Sequence, residues 1–200
     1  MSNVNYQLQL DKIISSLGDK KPRLLLHACC APCSSYCLEY LKEFFDITLY
    51  FYNPNISSEE EWSKRLGELK RLVKEMDLAV DVVCPPYNAN EFLEKVKGYE
   101  NFPEGGDRCS ICYALRLKSA CEYAEQNGFD YYCSTLSISP HKNAQKLNTI
   151  GQNLAKDKSV KFLPNDFKKK GGYLRSIELS KEHNLYRQDF CGCEFSRLNK

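Results

Sequence analysis

Short apolar runs alternate along the chain with longer stretches in which apolar residues recur every three or four positions. Pro22 to Ala28, PRLLLHA, and Asp46 to Asn55, DITLYFYNPN, are the first two runs, the second β-branched and aromatic until it stops at Asn-Pro. Both predict buried strands. Between them, SSYCLEYLKEFF places Tyr36, Tyr40 and Phe44 at helical spacing. SSEEEWSKRLGELKRLVKEMD does the same with Trp62, Leu66, Leu69, Val73 and Met76, and Ser57 three residues before Glu60 predicts a capping box at its start. LAVDVVCPP predicts a third strand ended by two prolines, CYALRLKSACEYAEQNG a helix stopped by Gly128, and FDYYCSTLSIS a fourth strand. Ahead of all of these, MSNVNYQLQLDKIISSLGDKK predicts a short amphipathic helix.

This alternation predicts an α/β fold, a parallel sheet with helices on both faces. In such sheets ligands bind at the carboxyl ends of the strands, where Cys29 and Cys30 fall. A chain of 200 residues fits one domain, 1–200, whose last forty or so residues, from about 161, form a C-terminal helical and loop extension. That extension holds Lys168, Lys169 and Lys170, then Gly-Gly and a helix. From Lys161 to Arg187, seven Lys/Arg stand against three Asp/Glu, which reads equally as a solvated face.

Composition narrows the class. Charged residues at 27% and apolar ones at 42% exclude a disordered polymer, and no apolar run approaches the ~18 residues of a membrane span. The N-terminal segment lacks the pattern of a signal peptide, so a cytoplasmic location is expected. In a reducing compartment disulfides rarely persist, and the eleven cysteines then read as metal ligands or catalytic groups. A net charge of +2 neither demands nor excludes RNA.

The cysteines fall into three clusters, HACCAPCSSYC, GGDRCSICY and DFCGC, with Cys84, Cys121 and Cys133 standing singly in apolar contexts. Cys109 and Cys112, three apart at a predicted helix start, can share one face near the positive end of the macrodipole, which favours thiolate. Four thiolates hold either zinc or an iron–sulfur cluster. Zinc sites usually separate paired ligands by two to four residues, whereas Cys29 and Cys30 are adjacent, and the divergence expected of adjacent side chains favours the corners of a larger cluster. Cys191-Gly192-Cys193, in a segment that reads as too polar for a core, predicts either a small, easily reduced ring or two further metal ligands, with Asp189 offering a hard oxygen beside it. The loop after the first strand, HACCAPCS, has no glycine, and no GxGxxG or GKS/GKT segment exists, so a phosphate cradle is not expected.

With these clusters laid out, the chain resembles the cobalamin-independent epoxyqueuosine reductase family, through LLLHACCAPCS, YFYNPNI, EGGDRCSICYALRL, STLSISPHKN and YRQDFCGC, spread from residue 24 to 193. The resemblance implies a Rossmann-like iron–sulfur protein that reduces epoxyqueuosine to queuosine at the wobble base of tRNAs with GUN anticodons. It implies a [4Fe-4S] cluster on Cys29, Cys30, Cys109 and Cys112, a redox-active Cys191–Cys193 pair, and an electron donor that the chain does not identify. Cys33, Asp189, Cys191 and Cys193 are left as candidate ligands of a second, mononuclear iron. His27, Tyr113, Arg116, His141, Lys142 and Arg187, all in the matching segments, are the candidates to bind substrate or donate protons. Lys168, Lys169, Lys170 and Arg175 are candidates to neutralise tRNA phosphates. Two other classes use the same thiols: a zinc-stabilised RNA-binding module, and a thiol–disulfide oxidoreductase working through Cys191 and Cys193 alone.

Overall fold

Leu24, Leu25 and Leu26 have no exposed surface, as expected of a central parallel strand, and they form the middle of β1 (Arg23–His27). In the computed structural model, which describes residues 4–196, β1 pairs on one side with β2 (Asp46–Tyr50) and on the other with β4 (Tyr131–Ser134). β3 (Asp81–Val83) and β5 (Lys161–Phe162) complete an all-parallel sheet in the order β3-β2-β1-β4-β5. Residues 1–3 and 197–200, included in the expected single domain, lie outside the described residues.

The connections follow from that order. β1 runs to β2 through α2 (Ala31–Leu41), and β2 to β3 through α3 (Glu59–Glu75). The chain then crosses back past β1, through α4 (Asn90–Lys95) and α5 (Asp107–Gln126), to β4, and α6 (Ala144–Leu154) leads to β5. Right-handed crossovers put α2 and α3 on one face and α5 and α6 on the other, and the contacts of α2 with α3 and of α5 with α6 agree. The order therefore reverses between β1 and β4, which opens a crevice above their carboxyl ends. α1 (Tyr6–Ser16) precedes the sheet, and α7 (Gly172–Glu182) packs along α2, closely enough that a Cβ at Gly172 would meet the Tyr36 ring at 2.3 Å.

Several expectations are corrected. The N-cap of α3 is Ser58, whose side chain accepts from the Glu61 N–H at 3.3 Å; Ser57 is held elsewhere, its own N–H donating to Gly192 O at 3.0 Å. The predicted fourth strand stops at Ser134, which caps a 3-10 turn over Thr135–Ile138 by accepting from the Leu136 N–H. α4, α6 and β5 have no counterpart in the predicted pattern. α4 and β5 are too short to show a period, and α6 buries Asn148 and Gly151 beside Leu147, so its inner face does not read as apolar.

The basic run is largely occupied inside the fold. Lys168 Nζ donates to Ser137 O at 2.7 Å and pairs with Asp166, Lys170 pairs with Asp11 of α1 at 2.6 Å, and Arg175 pairs with Glu39 of α2 at 2.8 Å as well as with Glu178 and Glu182.

Candidate functional site

At the end of β1 the chain turns from strand into helix within four residues. Cys30 is the extended N-cap of α2, and Pro32, in the first turn, supplies a φ already suited to a helix. This turn reverses the divergence expected of adjacent side chains: Cys29 Sγ and Cys30 Sγ stand 3.7 Å apart, and with Cys33, one helical turn on, the three sulfurs lie within 4.8 Å of one another. Without metal the trio shares protons. Hydrogen bonds from the thiols of Cys30 and Cys33 hold the Cys29 thiol well below its ordinary range, against the effect of burial and with help from Arg116, while Cys30 is pushed up to about 12 by the same contact with Cys29.

Cys109 and Cys112 lie in the first two turns of α5 as the pattern predicts, and both line the same cavity as Cys29 and Cys33 without belonging to the trio. Gly105 N–H donates to Cys109 Sγ at 3.2 Å. The expected preference of a helix start for thiolate is overridden at Cys112, where burial pushes the thiol up more strongly than Arg116 pulls it down.

The third cluster closes the cavity from the C-terminal side. Cys191 and Cys193 both line it, and Cys193 is buried with Phe92, Val96 and Cys112, so the segment is less polar in its setting than it reads. Its backbone is gripped from the segment that follows β2 and from α3. Arg65, 2% exposed, donates to Phe190 O and Cys191 O, both at 3.3 Å, and pairs with Glu61 at 2.7 Å. Asn55 Nδ2 donates to Cys191 O at 3.1 Å. Gly192 has φ +98°, and a Cβ there would come within 2.8 Å of Ile56, so both the turn and the close approach require glycine. All eleven cysteines are free thiols. The Cys193 thiol, donating to Cys191, brings the latter down to about 5 against the effect of burial, and Lys142 acts in the same direction.

The cavity has a volume of 420 Å³. Tyr113, Arg116, His141, Lys142, Arg187 and Asp189 all line it, with His141, Arg187 and Asp189 exposed at its mouth. Arg187 Nη1 donates to Ser180 Oγ at 3.0 Å. Tyr113 is 2% exposed and its hydroxyl has no hydrogen-bond partner among the described residues. Lys142 pairs with Glu104 at 2.8 Å; burial lowers its pKa, but the charge of Cys191 and the bond to Glu104 outweigh that and keep it protonated.

His27 is placed differently. It has no exposed surface and does not line the cavity; its Nε2–H donates to Tyr52 O at 3.0 Å and its Nδ1 lies 2.8 Å from Ser134 Oγ. Burial, with Arg116 behind it, lowers its pKa to about 3, so the ring is neutral. Arg116 Nε lies 3.3 Å from that ring, and Nη2 donates to Asn53, whose own amide donates to Ala28 O at 2.9 Å. These contacts aim a buried guanidinium at the cysteines of the first two clusters. Arg65, Asn53 and Asn55 are not among the residues that the sequence singles out. Asn53 and Asn55 sit in YFYNPNI, and Arg65 falls three residues after Trp62 and four before Leu69, on the apolar stripe of α3.

A set of soft, converging thiols beside a buried cation fits a thiolate-bound metal group, since the guanidinium offsets the negative charge that such ligands bring.

The family model of epoxyqueuosine reductase QueH matches residues 24–199. Epoxyqueuosine reductase QueH of Streptococcus pyogenes serotype M1 is 41% identical over 204 residues, covering 97% of this chain and 80% of that protein. The protein of the same name from Staphylococcus epidermidis is 40% identical, covering 98% and 86%, and that from Thermotoga maritima is 33% identical, covering 88% and 91%. Among solved structures, the U34-tRNA thiolase NcsA from Methanococcus maripaludis with its [4Fe-4S] cluster superposes with a TM-score of 0.50 at 14% identity, over 96% of this chain and 70% of that one, a likeness of fold.

Proposed function

The chain belongs to the epoxyqueuosine reductase QueH family and is an oxidoreductase of queuosine biosynthesis, and from that premise we propose how its residues divide the work. The substrate is epoxyqueuosine at the wobble position of a tRNA with a GUN anticodon. Removing the epoxide oxygen breaks both C–O bonds, forms the ring C=C bond and releases water, which takes two electrons and two protons. A [4Fe-4S] cluster on Cys29, Cys30, Cys109 and Cys112 supplies the one-electron chemistry that side chains lack, fed by an external reductant. The observation that carries this reading is that all three cysteine clusters open on one cavity at the carboxyl ends of β1 and β4.

The remaining residues bind and orient. Arg116 balances the charge of the thiolates, held by its hydrogen bond to Asn53, and the neutral His27 beside it adds no competing charge. Tyr113 Oη, with no partner of its own, is free to donate a hydrogen bond to an oxygen of the bound ring, and Lys142 keeps a cation beside it. Arg187 and His141, at the mouth, are suited to phosphate or ribose. Cys191 and Cys193 act as the redox-active pair, whose oxidation to a disulfide releases two electrons and two protons, the amount the epoxide consumes. In the alternative version they join Cys33 and Asp189 in holding a second iron. No helix among the described residues is long and apolar enough to cross a membrane, and a cytoplasmic enzyme would meet its tRNA directly.

Anaerobically purified protein is expected to be brown and to contain iron and acid-labile sulfide, lost in Cys109→Ala and Cys112→Ala. Supplied with a chemical reductant and no cobalamin, it converts epoxyqueuosine in tRNA to queuosine, read as loss of one oxygen in the digested nucleosides. A colourless, zinc-only protein would replace this reading with an RNA-binding module. Iron in excess of sulfide, reduced in Cys191→Ser, would favour the second metal over the disulfide.

A further inference from the structure

Six large hydrophobic side chains are exposed among the described residues, and three of them, Leu93, Tyr99 and Phe102, lie on α4 or on its connection to α5. Tyr99 and Phe102 are 37% and 39% exposed, with ring centroids 5.2 Å apart and planes tilted by 43°. The segment that carries them is firmly held. Nη1 of Arg108, a residue 1% exposed, faces the carbonyls of Tyr99 at 3.3 Å, Glu100 at 2.6 Å and Phe102 and shares its two hydrogens among them, curling the chain around this nitrogen. Beyond Phe102, Lys142 pairs with Glu104, and Lys146 Nζ donates to Gly105 O at 3.2 Å. Glu104 and Arg108 both line the cavity.

Two partly exposed aromatic residues thus stand on a segment flanked by the cavity-lining Glu104 and Arg108, on a support ordered by a buried arginine. Each residue leaves more than a third of its surface uncovered, and an ordered apolar patch next to a binding cavity marks a contact surface. The occupant follows from the reading that the cavity takes the wobble base, on which this inference rests. A base drawn into the cavity leaves its neighbours in the anticodon loop unstacked, and unpaired RNA bases stack readily on aromatic side chains. From residue 91 to 104 the chain carries Glu91, Glu94, Glu100 and Glu104 against Lys95 and Lys97, so phosphate attraction is not what this surface offers. We propose that Tyr99 and Phe102 form a stacking platform for an unpaired nucleotide next to the wobble base of the bound tRNA.

The test is equilibrium binding of a tRNA transcript with a GUN anticodon to the cluster-loaded protein, across a range of salt concentrations. The Tyr99→Leu/Phe102→Leu double variant keeps apolar bulk but loses both rings. It is expected to bind at least about 5-fold more weakly, the lower end of what one lost base stack costs, with an unchanged salt slope. Tyr99→Trp should bind at least as tightly as wild type, and its retained affinity and melting temperature separate stacking from misfolding. Wild-type affinity in the double variant, or a weakening that appears only as a shallower salt slope, overturns the platform. So does sedimentation in which wild type is dimeric and the double variant monomeric at equal RNA affinity, which makes the patch a self-contact. A wild-type protein that binds the transcript through these rings but leaves epoxyqueuosine unreduced would refute the proposed reaction and leave the platform standing.

Discussion

Arg65 illustrates what a single side chain contributes to this site. A buried guanidinium costs several kcal/mol of desolvation, recovered only where its nitrogens find acceptors, and here Glu61 and the consecutive carbonyls of Phe190 and Cys191 supply one to each of the three. Its fork reaches Phe190 O and Cys191 O together, a geometry that lysine does not reproduce. Arg65→Met is expected to lower stability by about 2–4 kcal/mol, because two buried carbonyls and Glu61 lose their partner. Denaturant unfolding measures that loss. Turnover falls more than stability alone explains, since the backbone of Cys191 is no longer fixed, while the visible spectrum stays. Arg65→Lys should recover much of the stability and little of the turnover; a lysine variant with full turnover would show that charge, not the fork, is what matters. Arg65 escapes sequence reading because arginine within a helix reads as a solvated residue, although its place on the apolar stripe between Trp62 and Leu69 carried the signal. The cysteines are legible for the opposite reason: clustered thiols have few ordinary structural uses in a reducing compartment.

At the scale of elements, α3 is a rail for the C-terminal segment as well as a crossover helix. Along it, Glu61 accepts from Tyr186 Oη, Glu68 accepts from Tyr186 N–H at 2.9 Å, and Arg71 donates to His183 O and Asn184 O, so successive turns of one helix face fix residues 183–191. The hydrogen bonds from Arg71, with the Tyr186 amide, hold Glu68 below its ordinary range. A carboxylate with a depressed folded-state pKa stabilises above its unfolded value and loses that contribution as pH falls through the folded one. The segment is therefore expected to loosen as pH falls through and below the ordinary glutamate range, ahead of the sheet. Hydrogen exchange at the Tyr186 amide, corrected for the intrinsic rate, reads this, and Glu68→Gln should show reduced protection already at neutral pH. Protection that stays level over that range would mean Glu68 holds nothing. β1, β2, α2 and α3 are legible because their apolar periods run long enough to be counted. α4, α6 and β5 are not, since six residues, a face built from Asn and Gly, or two residues carry no period. The convergence of Cys29, Cys30 and Cys33 was likewise hidden, because it arises from the strand-to-helix turn and not from spacing.

For the whole molecule, the question is how a chain with a net charge of only +2 meets a polyanion. The basic run reads as one feature in the sequence, but the fold divides its members. Lys170 ties α7's approach to α1 through Asp11, Arg175 ties α7 to α2 through Glu39, and Lys168 is bonded to Ser137 O, next to the 139–142 segment that lines the cavity mouth. Lys169 is exposed and has no ion pair among the described residues. Of the four it is therefore the member expected to face a phosphate. Charge reversals should therefore separate two kinds of effect. Lys169→Glu is expected to weaken tRNA binding and lower the salt slope by about one while leaving the melting temperature unchanged. Lys170→Glu sets a glutamate against Asp11 and should lower the melting temperature with little change in slope, because a charge already paired inside the fold releases few counterions on binding. Equal salt slopes in wild type and Lys169→Glu would return the whole run to a structural role, and tRNA would then be held chiefly by the cavity mouth and the stacked bases beside it.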